Sequence, residues 1–160
     1  MAGAKGILWR IAQDTQEYRA DDMTGGGAKA TGGRWNSKGT PAVCASTSIA
    51  LATLETLVHR GDDVPVRNDF LVCLTVPSSV WRLRDKVSAG ELDITWVAEP
   101  AGGTTIRYGD EWLKRNRSPL LLVPSVIVPE EYNVLINPAH PATSNIKPLV
   151  TRQFLYDARL

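Results

Sequence analysis

Apolar and polar positions along this chain change over in short bursts, most of them closed by glycine, proline, serine or asparagine. Residues 7–11 read as a first strand and residues 41–45 as a short buried one. Between them, residues 13–33 are polar, hold five glycines and show no periodicity, which predicts a long functional loop. Ser46, Thr47 and Ser48 offer N-cap hydroxyls for a helix over residues 48–59. At 100° per residue, Ala50, Leu51, Leu54, Leu57 and Val58 share one face, so this helix is expected to turn that stripe to the core. Glu55 falls on its shoulder.

Further along, residues 70–76 form a strongly apolar strand and residues 80–83 a weaker one. Residues 106–115 suit a short helix with Trp112 and Leu113 inward, and residues 120–123, 133–136 and 147–155 complete the strands. Strands outnumber helices and do not alternate regularly with them. A mixed α+β fold with mainly antiparallel sheet is therefore expected, in one domain over residues 1–160.

Composition changes this picture little but excludes several functions. Eighteen Lys and Arg against 17 Asp and Glu leave a charge of +1, with no broad footprint for nucleic acid or an acidic membrane. No apolar run approaches a membrane span or a signal peptide, so the expected location is the cytoplasm. Cys44 and Cys73 read as small hydrophobes of a reducing compartment rather than a disulfide.

Three candidate chemistries fail on context. Residues 25–30, Gly-Gly-Gly-Ala-Lys-Ala, match the G-x-G-x-x-A spacing of a dinucleotide loop, but Asp21-Asp22-Met23-Thr24 stands where an apolar strand is required. Cys44 with His59 or His140 as a nucleophile pair lacks any local support, since a thiol in an apolar strand is inert by default. Two histidines are too few for a convincing zinc site, and no metal is expected.

More informative is Gly32-Gly33-Arg34-Trp35-Asn36. Its glycines permit close backbone approach, and Arg34 presents a planar fork matched to phosphate oxygens. Trp35 adds a flat surface and Asn36 an amide. Pro124-Ser125 ends an apolar strand, where a hydroxyl can face a cleft. Each feature alone is equally compatible with a surface turn or a solvated helix flank.

In order along the chain, Leu8-Trp9-Arg10, the Gly-Gly-Arg-Trp-Asn run, residues 48–55 ending in Glu55, Val123-Pro124-Ser125, residues 133–140 and the closing Asp157-Ala158-Arg159-Leu160 resemble the RES family. The likeness extends from about residue 7 to residue 160. It implies the toxin of a RES–Xre toxin–antitoxin pair, with a fold similar to ADP-ribosyltransferases and an activity that degrades NAD. Arg34, Glu55 and Ser125 would be the catalytic residues. Arg34, Trp35, Asn36, Cys44 and His59 would hold NAD, with His59 one helical turn beyond Glu55.

The implied partner is an Xre-type helix-turn-helix antitoxin, which contacts DNA in place of the toxin, in a complex where the toxin forms a homodimer. NAD is the implied substrate, cleaved at the nicotinamide–ribose bond by hydrolysis or phosphorolysis. ADP-ribosylation of a protein target is the alternative, and a catalytically weakened regulatory binding module is a third reading. One departure bears on potency: the family usually carries Tyr ten residues after the Arg, and this chain has Cys44. The resemblance then implies an attenuated toxin.

Overall fold

The computed structural model describes residues 6–60 and 68–160, with only the backbone of residue 60. Within these residues seven strands form one sheet: β1 Gly6–Gln13, β2 Val43–Ser46, β3 Asp69–Val76, β4 Asp85–Lys86, β5 Leu120–Pro124, β6 Tyr132–Ile136 and β7 Lys147–Gln153. Their order is β4-β5-β6-β2-β1-β3-β7, antiparallel throughout except where β4 runs parallel to β5. Among the described residues four α-helices accompany it: α1 Gly26–Thr31, α2 Ile49–Arg60, α3 Ser78–Trp81 and α4 Gly103–Arg115. The mixed, mainly antiparallel α+β class expected from the pattern is what the chain adopts.

Strand periodicity divides the core between the two sheet faces. Leu8, Val43, Ala45, Val72, Leu74, Leu120, Leu122, Val134 and Ile136 pack on one face, with Ala20, Val80 and Ile146 over them. Leu121, Val123 and Leu135 point to the other and meet Trp35, Val87 and Leu113. All five residues of β5 are buried, which explains its unbroken apolar run.

The pairing of β1 is lopsided. It matches β3 over eight residue pairs, Gly6↔Val76 to Gln13↔Asp69, but meets β2 at the single rung Trp9↔Ser46. A cleft opens where that pairing stops, and Arg10, Ile11, Cys44 and Ala45 border it.

Three sequence expectations are corrected. The polar stretch 13–33 holds α1 near its end, after Gly25 at φ 75. Residues 80–83 are not a strand: Pro77 starts the short helix α3, which buries Val80 on the sheet. In α2, Ser48 Oγ accepts from the Leu51 amide as the expected cap, but the inward face is rotated. Leu51 and Ala52 are buried, whereas Leu54 is 39% and Val58 61% exposed. Residues 51, 52, 55 and 56 share the inward side, so Glu55 faces the sheet rather than the flank.

Candidate active site

The cleft between β1, β2 and α2 encloses about 470 Å³. Arg34, Trp35, Asn36, Cys44, Glu55 and His59 all line it, although up to 25 residues separate them along the chain (34 to 59). Ser125 does not line it; the side chain is fully buried behind the wall.

Glu55 is the most constrained carboxylate here. Its Oε1 accepts from Ser125 Oγ at 2.7 Å and from Asn133 Nδ2 at 2.6 Å. The Ser125 hydroxyl oxygen itself accepts from the amides of Ile127 and Val128, both at 3.1 Å. Those two bonds orient its proton toward Glu55. Ser125 thus turns its hydroxyl to Glu55 rather than into the cleft.

Arg34 also departs from the simple anion anchor. Nη1 donates to the carbonyls of Trp96 at 3.1 Å and Ala98 at 2.9 Å, and Nη2 to Glu99 Oε2 at 2.6 Å. The Arg34 side chain is 14% exposed and that of Glu99 75%. Arg34 therefore ties the segment 94–99 to the cleft wall, and an anion reaching Nη2 competes with an exposed carboxylate.

Trp35 and Asn36 border the cleft mainly as framework. Trp35 is buried and meets Tyr108 edge to face at 6.2 Å. Asn36 Nδ2 donates to the carbonyls of Ala28 and Thr40, both at 2.9 Å, which closes the loop on itself. Asp110 Oδ1 accepts from the Ser37 amide at 2.9 Å and fastens the same loop to α4. The flat surface and free amide expected for ligand contact are thus engaged within the protein.

Cys44 opens onto the cleft from β2. The crowded wall pushes its thiol pKa up; Arg10 opposes and the Glu55 charge reinforces the shift. A neutral thiol at pH 7 agrees with rejecting a cysteine nucleophile. His140 lies elsewhere, capping a 3-10 turn through Nδ1 and the Ala142 amide at 3.1 Å. Among the described residues no cluster of His, Cys, Asp and Glu suits a metal ion, and no helix is long and apolar enough to cross a membrane.

The sequence placed none of Arg10, Ser46 and Asn133 in the site, Ser46 being expected only as a candidate N-cap hydroxyl. Arg10 lines the cleft and donates through Nη1 to the Asp22 carbonyl at 2.7 Å. Burial lowers its pKa, with Cys44, Asp22 and Asp21 opposing, and the group remains a cation. Its signal was available: a guanidinium in the apolar run Ile7-Leu8-Trp9-Arg10-Ile11 is costly to bury without purpose.

The sheet splits between two central strands and opens a cleft lined by the fixed carboxylate of Glu55 and the guanidinium groups of Arg10 and Arg34. The family model described as RES domain matches residues 7–157, and the chain belongs to that family. The Prs ADP-ribosylating toxin of Sphingobium sp. (strain YBL2) is 50% identical over 153 residues, 96% of this chain and 95% of that protein. Toxin Res of Yersinia enterocolitica is 38% identical over 158 residues, covering 96% of this chain and 99% of its own. Toxin Res of Photorhabdus laumondii is 37% identical over 158 residues, 96% of each.

Proposed function

We propose that this chain is the toxin of a RES–Xre toxin–antitoxin pair and cleaves the nicotinamide–ribose bond of NAD. The observation that carries this reading is Glu55, held by two neutral donors on one oxygen at the edge of a cleft that also holds Arg10 and Arg34. When the glycosidic bond breaks, its electron pair leaves with nicotinamide and positive charge develops on the ribose carbon and ring oxygen. A fixed carboxylate stabilises that charge more than it stabilises bound NAD, which is the requirement for catalysis. An acceptor oxygen then bonds to the ribose carbon and loses its proton to Glu55 or to water. Arg10 and Arg34 supply positive charge for the pyrophosphate.

Hydrolysis or phosphorolysis is the first reading of the acceptor. ADP-ribosylation of a protein is the second, favoured by the name of the relative that is 50% identical. Incubating the purified chain with NAD, with and without phosphate or cell protein, separates them by product. Free ADP-ribose or its phosphate ester supports the first, and release of nicotinamide only with protein present supports the second. No release under any condition contradicts both. The implied partner, an Xre-type antitoxin, would cover this cleft.

Two residues tune NAD binding in this reading. Glu99 occupies Arg34 from an exposed position, and such pairs contribute at most about 1 kcal/mol. Glu99→Gln is expected to lower KM for NAD up to about fivefold with kcat unchanged, as measured by steady-state kinetics. A raised KM would show that Glu99 supports the site instead. Cys44→Tyr places an aromatic ring over the cleft, worth about 1 kcal/mol of stacking. The expected result is a several-fold gain in NAD turnover at low substrate and stronger growth arrest; no gain contradicts the attenuated-toxin reading.

A further inference from the structure

The two oxygens of Glu55 have different surroundings. Oε1 receives both hydrogen bonds, whereas Oε2 has no hydrogen bond among the described residues. One of the two donors, Asn133, is itself held. Its Oδ1 accepts from the Ser46 hydroxyl at 2.7 Å, across the rung Ser46↔Asn133 that joins β2 to β6. An ionised carboxylate only accepts, so the amide nitrogen must face Glu55 and the amide oxygen must face Ser46. The carboxylate sets that orientation, and the Ser46 hydroxyl, donating to the amide oxygen, holds the amide in place.

Ser46 also forms the single rung between β2 and β1, through Trp9. The chain of bonds from Ser46 through Asn133 to Glu55 is therefore anchored at the last paired position before the sheet splits. Ser46 is buried, and Asn133 lines the cleft beside Glu55. Glu55, carried on α2, is referenced to the sheet at two points, Ser125 after β5 and Asn133 on β6.

We propose that Asn133, oriented by Ser46, is a positioning residue that turns the free Oε2 of Glu55 toward the reacting sugar. This rests on the role given to Glu55 above. Removing the amide proton lets the carboxylate rotate, and a fixed charge is effective only where its geometry is held before the reaction begins.

Asn133→Asp keeps the shape but replaces the donor with an oxygen. Two carboxyl groups at this separation share a proton, so the acidic limb of kcat against pH moves to higher pH. At pH 7, kcat is expected to fall about 30-fold, with KM for NAD changed less than twofold. Ser46→Ala leaves the donor in place but removes the bond that holds the amide oxygen, and kcat is expected to fall about threefold, recovered in Ser46→Thr. Thermal unfolding of each variant separates these effects from loss of fold, and Ser46→Ala with its rescue decides if Asn133→Asp does not fold.

An inactive wild type, or a Glu55→Gln variant as active as wild type, overturns the reading of Glu55 and this proposal with it. With wild type active and Glu55→Gln inactive, a folded Asn133→Asp with unchanged kcat and pH profile overturns the proposal alone. So does a Ser46→Ala variant with undiminished kcat.

Discussion

Glu55→Gln is expected to lower NAD turnover by about 1,000-fold while the protein stays folded. The glutamine carbonyl oxygen takes the place of Oε1 and still accepts from Ser125 and Asn133, so the amide nitrogen replaces the free oxygen in the cleft. What is lost is the negative charge facing a developing cation. Losing one preorganised electrostatic group from an active site costs about 100- to 1,000-fold in rate. Because no buried donor is orphaned, the melting temperature should stay within about 3 °C of wild type. Kinetics paired with calorimetry checks both halves. A loss below tenfold would move the chemistry to another residue.

The second large effect lies in the helix behind the loop. Gly109 is buried in α4, where the backbone of Trp35 runs directly over it. A methyl group at this position would overlap the Trp35 carbonyl oxygen and lie 2.6 Å from its carbonyl carbon and 3.1 Å from its Cα. All three are backbone atoms, so the loop or the helix must move as a body. Helix propensity alone favours alanine over glycine by about 1 kcal/mol. Overpacking against backbone costs about 3 kcal/mol or more and wins.

Gly109→Ala is thus expected to lower the melting temperature by about 6 °C. Since Arg34 and Asn36 belong to the displaced loop, turnover should fall more than tenfold at temperatures where the variant remains folded. A raised melting temperature would show that propensity dominates and that the loop is not braced by α4.

Gly109 also marks where sequence reasoning ends. A glycine inside residues 106–115 weakens a helix prediction, and nothing local says that another segment's backbone crosses it. By contrast, β3, β5 and β6 were legible because their apolar runs are dense and closed by turn residues. The helix from Ser48 was legible from its cap, while its orientation was not. Leu54 and Val58 complete an apolar stripe in sequence, yet Leu51 and Ala52 are the buried pair, and the same rotation brings Glu55 to Asn133.

The residues named by the Arg-Glu-Ser resemblance lie close together, with Arg34 and Glu55 on one cleft and Ser125 bonded to Glu55. The resemblance could not reveal that the Ser125 hydroxyl bonds Glu55 or that Arg34 is engaged by Trp96, Ala98 and Glu99. Those are long-range contacts between segments whose spacing in sequence carries no information. Asn133 was hidden for the same reason: it reads as the polar start of the strand 133–136, and only its long-range bond to Glu55 sets it apart.

The most direct measurement is a crystal structure of Glu55→Gln with intact NAD bound. The expected density places the nicotinamide ribose against residue 55, on the side facing away from Ser125 and Asn133, with the pyrophosphate between Arg10 and Arg34. NAD bound away from this cleft, or bound with its adenine ribose at residue 55, would contradict cleavage of the nicotinamide–ribose bond at Glu55.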